Sequence, residues 1–180
     1  PPSMSAEKDA LRQMFQELID AMLPYQDEGT GMWHQVINLP NIAPNYLEES
    51  GSAIFANAIM KGVRLGVLDP GYYAAGRKAF DGICRTCLSE KDGALSLTNI
   101  CLVAGLGNKD HREGTFDYYM REPIVANDAK GVAPLVLAYI ETMKHDLLAG
   151  AADPSSPSGC CSVEDLFDGY VSGINGRKCP

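Results

Sequence analysis

Residues 45–66 read NYLEESGSAIFANAIMKGVRLG, and the reading of this stretch decides the fold. Asn45 can cap a helix, and Glu48 three positions on completes a capping box, its carboxylate reaching back to the Asn45 amide. Behind the cap, Ile54, Ile59, Met60 and Val63 make a helix with no clean polar face. Ser50, Gly51, Ser52, Ala53, Ala56 and Ala58 keep one flank thin enough for a neighbouring backbone to come close. A helix apolar nearly all round lies inside a layered helical protein, so this is the expected central helix. Gly66 is its expected stop, and Asp69-Pro70 restarts a helix with Asp69 as cap and Pro70 at the first helical position.

Working outward, residues 5–23 predict a first helix, with Leu11, Met14, Phe15, Leu18, Ile19 and Met22 at helical spacing and Pro24 as its end. The long connection that follows contains Trp33, Gln35 and Ile37 alternating with Met32, His34 and Val36, a short extended piece. A third helix is expected from Pro70 to about Leu88, and Lys91-Asp92-Gly93 is a turn. Residues 95–107 read as a short strand or irregular loop. Thr115 caps a brief helix that ends before Pro123, and the last long helix is expected to start no earlier than Ala133, since Pro134 suits only a first turn. The fold class is therefore all-α with long loops. Residues 1–150 form the domain, and residues 151–180 a Cys-rich tail with one short helical stretch, Val163 to Tyr170.

The 180 residues carry 46% hydrophobic and 21% charged side chains, enough for one packed core. A net charge of -8 without a Lys/Arg run speaks against nucleic acid or an anionic membrane as partner, and no apolar run is long enough to span a bilayer. Six cysteines, Cys84, Cys87, Cys101, Cys160, Cys161 and Cys179, are candidates for disulfides and favour secretion, with free cytoplasmic thiols as the alternative. A bridge from Cys160 or Cys161 to Cys179 would close a loop of about twenty residues, contributing roughly 3 kcal/mol. The spacing of Cys84, Cys87, Cys101 and His111 is too irregular for zinc, and no metal or other cofactor is implied.

Two loops carry chemistry. Trp33 beside Gln35 is either an aromatic platform for a sugar or a core residue pinning a loop. Asp128, Lys130 and Gly131 precede a helix, where a lysine and free amides suit a carboxylate or phosphate, or simply cap the helix. Glu48 and Glu49 read as a cap and a solvated neighbour, and no acid/base pair is identified.

Five strings in order, YQDEGTGMWHQV, NYLEESGSAIFANAIMKG, YYAAGRKAFDGI, LSLTNICLVAGLG and REGTFDYYMREPIVANDAKGVAP, resemble glycoside hydrolase family 105, the unsaturated rhamnogalacturonyl hydrolases. The resemblance runs from about Leu11 to Glu141 and covers only the C-terminal half of that family's domain. It implies a partial (α/α)6 toroid, a half-barrel of helical hairpins. It also implies a pectic substrate, whose 4,5-unsaturated uronyl end is removed by hydration of the ring's vinyl ether. The family's catalytic aspartate belongs to the other half, so no residue here inherits that role and the chain alone is expected to be inactive. Trp33, Gln35, Glu48, Ser50, Ser52, Asp128, Lys130 and Gly131 match positions that wall or rim the family's pocket; Ala133 replaces a usual glycine. A cut ring would expose two apolar faces, which a homodimer or the missing N-terminal half would cover. The other function class is a secreted, non-catalytic relative that binds pectic sugar or a host protein.

Overall fold

The computed structural model describes residues 5–107 and 112–148. Five helices dominate: α1 (Ser5–Met22), α2 (Glu49–Arg64), α3 (Tyr73–Thr86), the short α4 (Phe116–Arg121) and α5 (Ala129–Leu148). Three two-stranded antiparallel ladders join them: β1 (Trp33–His34) with β2 (Leu47–Glu48), β3 (Leu88–Lys91) with β4 (Ala94–Leu97), and β5 (Ile100–Cys101) with β6 (Ile124–Val125). The all-α expectation holds, because the ladders are clips at helix ends rather than a layer.

Helix α2 is the central element, packed between α3 and α5. Its Ala53, Ala56, Ile59 and Met60 are buried against Ala79, Phe80 and Ile83 of α3 and Leu135 and Ala138 of α5. The thin flank works as expected. At Gly76 of α3 an added Cβ would meet Met60 Cγ at 2.9 Å and the Ala56 carbonyl at 3.1 Å. Only a residue without a side chain lets the two helices approach so closely. Gly66 ends α2 in the left-handed region, φ +65°, and its amide donates to the Val63 carbonyl. One part of the expectation fails: Ile54 is 53% exposed, so α2 is not apolar-buried all round.

Several local expectations are corrected. Asn45 does not cap α2; it lies in the loop before β2, where its amide donates to the Val36 and Leu39 carbonyls. The cap is Glu48, whose carboxylate accepts from the Ser50 and Gly51 amides at 3.1 and 2.6 Å. Asp69 makes no side-chain cap bond, and Pro70 opens a single 3-10 turn, Pro70–Tyr72, before α3. Helix α3 stops at Thr86, and Asp92 and Gly93, both at positive φ, turn the chain into the β3–β4 hairpin. Helix α5 begins at Ala129, a full turn ahead of Ala133, and carries Pro134 inside it. Asp128 makes this possible by holding the first turn, its carbonyl accepting from the Gly131 and Val132 amides. The Thr115 cap is as expected, its hydroxyl accepting from the Tyr118 amide.

Two edges of the layer carry exposed apolar side chains among the described residues. On α1, Ile19 and Met22 are buried, but Leu11, Met14 and Leu18 are 65%, 64% and 50% exposed. On α5, Val136, Leu137, Ile140 and Met143 are exposed. No described helix is long and apolar enough to cross a membrane. The Cys-rich tail and its expected helical stretch lie outside the described residues.

Candidate functional site

Helices α2 and α5 run in the same direction. Glu49 at the start of α2 lies against Gly131 at the start of α5, and Arg64 at the far end pairs with Glu141. Their amino ends, with the partial positive charge of unsatisfied amides, therefore converge at one end of the layer. Ladders β1–β2 and β5–β6 frame that end. The Glu48 carboxylate ties them together, accepting from the Cys101 amide at 3.0 Å and the Ser50 hydroxyl at 2.8 Å besides its two capping bonds. Gln35 reaches the same place from the β1 side, its amide 3.5 Å from Cys101 Sγ. Sequence reasoning named Gln35, Glu48 and Ser50 separately; the fold brings them together around Cys101. Tyr46 is beside them with its hydroxyl buried, its pKa raised by burial and by the neighbouring Cys101 thiol.

Trp33 and Ser52 take a different role. The indole is 2% exposed, donates from Nε1 to the Met22 carbonyl at 2.8 Å, and tilts against Phe55. Ser52 is 1% exposed; its Oγ accepts from the Trp33 amide at 2.9 Å and donates to the Glu48 carbonyl at 2.6 Å. The sugar platform is thus replaced by the core alternative: Trp33 has no open face, and with Ser52 it pins the β1 loop beneath Glu48.

Glu49 is the residue that sequence reasoning misjudged. It is fully buried, not solvated, and neither carboxyl oxygen has a hydrogen-bond partner among the described residues. Burial, reinforced by the adjacent Glu48, pushes its pKa up to about 8, so it is a neutral acid at pH 7. A Cβ on Gly131 would lie 2.1 Å from Oε2. Gly131 is a glycine because the acid occupies the space a side chain would need. Nothing in the local pattern EESGS distinguishes this glutamate from an exposed one.

The rim loop before α5 is already internally satisfied. Asp128 Oδ1 accepts from the Lys130 ammonium at 2.6 Å and from the Lys130 amide at 2.9 Å. Lys130 holds the Asp128 carboxyl below its usual pKa. In this pair Lys130 is half exposed and Asp128 about a quarter exposed. Asn127, at φ +58°, anchors this loop to β4, its Oδ1 accepting from the Leu97 amide at 2.8 Å.

The cysteine expectation is corrected for the body. Cys84, Cys87 and Cys101 are buried free thiols. Their burial pushes each pKa up, Cys84 to about 12, which makes them poor nucleophiles. Cys160, Cys161 and Cys179 lie outside the described residues. Among the described residues no group of three His, Cys, Asp or Glu is set to hold a metal.

The sequence matches Glycosyl Hydrolase Family 88 over residues 2–145. The chain belongs to that family. Protein Atu3128 of Agrobacterium fabrum and the 24.9 kDa protein in picA locus of Rhizobium radiobacter are each 41% identical to it over 140 residues. That alignment takes in 74% of this chain, which spans 60% of the length of these curated relatives. Its fold is that of a family 105 glycoside hydrolase from C. acetobutylicum ATCC 824, with a TM-score of 0.76 and 39% identity over 80% of this chain and 40% of that one. A structure from Salmonella enterica serovar Paratyphi A, described as a possible member of the GH105 family, matches with a TM-score of 0.66 and 27% identity, over 81% of this chain and 34% of that one. The family 88/105 scaffold and the partial helical toroid expected from the sequence are therefore established.

Proposed function

We propose that this family 88 chain supplies one wall of a pocket for the unsaturated uronyl end of a pectin fragment, and that hydration of the ring's vinyl ether requires helical hairpins beyond those of this chain. The observation that carries the reading is that the cluster of Gln35, Cys101, Glu48 and Ser50 lies at the amino end of α2, which meets the amino end of α5, the helix that the Asp128–Lys130 pair opens, in a glycoside hydrolase scaffold. In this reading Lys130 leaves Asp128 for the uronate carboxylate, helped by the positive end of α5. Gln35 and Ser50 meet sugar hydroxyls, while Glu48 and Ser52 hold the wall in place. Trp33 supports the rim from beneath rather than stacking on the ring. The acid that protonates C4 comes, in this reading, from those further hairpins, and Glu49 is sealed away from any ligand.

One wall buries little of a ligand, and a single charge-assisted contact supplies about 1–3 kcal/mol, so binding in the millimolar range is expected. The test is calorimetric titration with an unsaturated digalacturonate, alongside the ultraviolet absorbance of the unsaturated ring. Weak binding that fades with salt and weakens in Lys130→Ala, with no loss of absorbance, supports the reading. Absence of heat at several times the expected concentration overturns the sugar site. A steady loss of absorbance overturns the inactivity of the chain alone.

The exposed apolar edges on α1 and α5 favour a second reading, a non-catalytic protein-binding relative, with a second copy or a host protein as the partner. Light scattering separates the cases: a concentration-independent 19.4 kDa species counts against self-association.

A further inference from the structure

A groove of about 430 Å³ runs between α1 and the carboxyl half of α2. Leu11, Phe15 and Leu65 give it an apolar lining, and Lys8, Arg12 and Lys61 add three cations. No carboxylate lines it, and none of the three cations is in an ion pair among the described residues. In a chain of net charge -8, three cations gathered in one groove without an acidic partner among the described residues are notable. Another groove, about 340 Å³ between the β3–β4 hairpin and α5, has no charged lining, so charge distinguishes these two.

The complement is in the same chain. Residues 163–170 read VEDLFDGY. Val163, Leu166, Phe167 and Tyr170 fall at i, i+3, i+4 and i+7, one stripe at helical spacing, and Glu164, Asp165 and Asp168 carry three negative charges with no cation among them. The connection also starts at the right end of the layer. Because α5 runs with α2, it ends at Leu148 on the side of the molecule where Leu65 and Lys61 open the groove. Residues 149–162 can extend to roughly 46 Å, well over the length of the whole 18-residue α1, about 27 Å.

We propose that residues 163–170 dock into the α1–α2 groove of their own chain, laying the apolar stripe on Leu11, Phe15 and Leu65 and setting the three carboxylates against Lys8, Arg12 and Lys61. Tethering raises the effective concentration to the millimolar range, so a short segment with modest contacts is enough. The docked segment covers the α1 edge of the layer and leaves the α5 edge open.

The test uses the full chain, a tail reversal (Glu164→Lys, Asp165→Lys, Asp168→Lys), a groove reversal (Lys8→Glu, Arg12→Glu, Lys61→Glu), and the two reversals combined. Zero-length carbodiimide cross-linking with peptide mass spectrometry should join Lys8 or Lys61 to residues 164–168 in the full chain. Hydrogen exchange in residues 8–15 and 57–67 should be slower there, by about threefold or more, than in either reversal. The combined reversal should regain the protection. Equal exchange in all four proteins without such cross-links overturns the proposal. In a mixture of isotopically light and heavy chains, cross-links that join the two assign the groove to a second copy and overturn it equally.

Discussion

Glu49 makes the stability of this fold fall as the solution becomes more alkaline. The folded chain holds the Glu49 proton until about pH 8, whereas an unfolded glutamate releases it near 4.5. Between those values the native state binds more protons than the unfolded one, so its stability is fully present below pH 4.5 and is lost as pH rises towards 8. Each pH unit in that window removes up to about 1.4 kcal/mol, and the slope flattens near pH 8, so moving from pH 5.5 to 7.5 should remove roughly 2–3 kcal/mol from this source. The assay is urea unfolding at both pH values, comparing the wild-type chain with Glu49→Gln. The amide cannot ionise, and its unpartnered polar atoms impose an offset that does not depend on pH. The difference between the two proteins should therefore shift in favour of Glu49→Gln by that amount on going to pH 7.5. A pH-independent difference would falsify the assignment, because it would mean that Glu49 reaches solvent or a hydrogen-bond donor and ionises normally.

Four further outcomes follow from the same geometry. Gly131→Ala forces a methyl group onto Glu49 and Ile100 and should cost about 1–3 kcal/mol, seen as a lowered melting temperature. Glu48→Ala removes the cap of α2 and its link to Cys101, so denaturant titration should register a loss of roughly 2–3 kcal/mol. Trp33→Ala should destabilise by about 3–5 kcal/mol rather than act on ligand affinity alone, and the single tryptophan of the native chain should show the blue-shifted emission of a buried indole. Arg64 holds the Glu141 carboxyl below its usual pKa, which stabilises the fold above pH 4.5 and is lost on acidification through the lowered value. Arg64→Ala should therefore flatten that acid limb, and an unchanged limb in acid titration would count against the pair.

Much of the scaffold is local chemistry and could be read from the chain. The stop of α1 before Pro24, the left-handed Gly66 after α2 and the Thr115 cap each depend on residues within one turn of one another. The thin flank of α2 declared that another helix would lie close, and the ordered strings declared the family.

What tertiary structure alone decided has a common physical cause: partners distant in sequence compete for the same groups. Asn45 is a sound cap by local rules, yet the Val36 and Leu39 carbonyls take its amide and leave Glu48 to cap α2. Trp33 suits a platform or a core by composition, and only the Met22 carbonyl and the Ser52 hydroxyl settle that it is core. Glu49 differs from Glu48 by one position along the chain. That single step turns one carboxylate towards four donors and the other into the buried space against Gly131, 82 residues on, where the desolvation cost keeps it protonated.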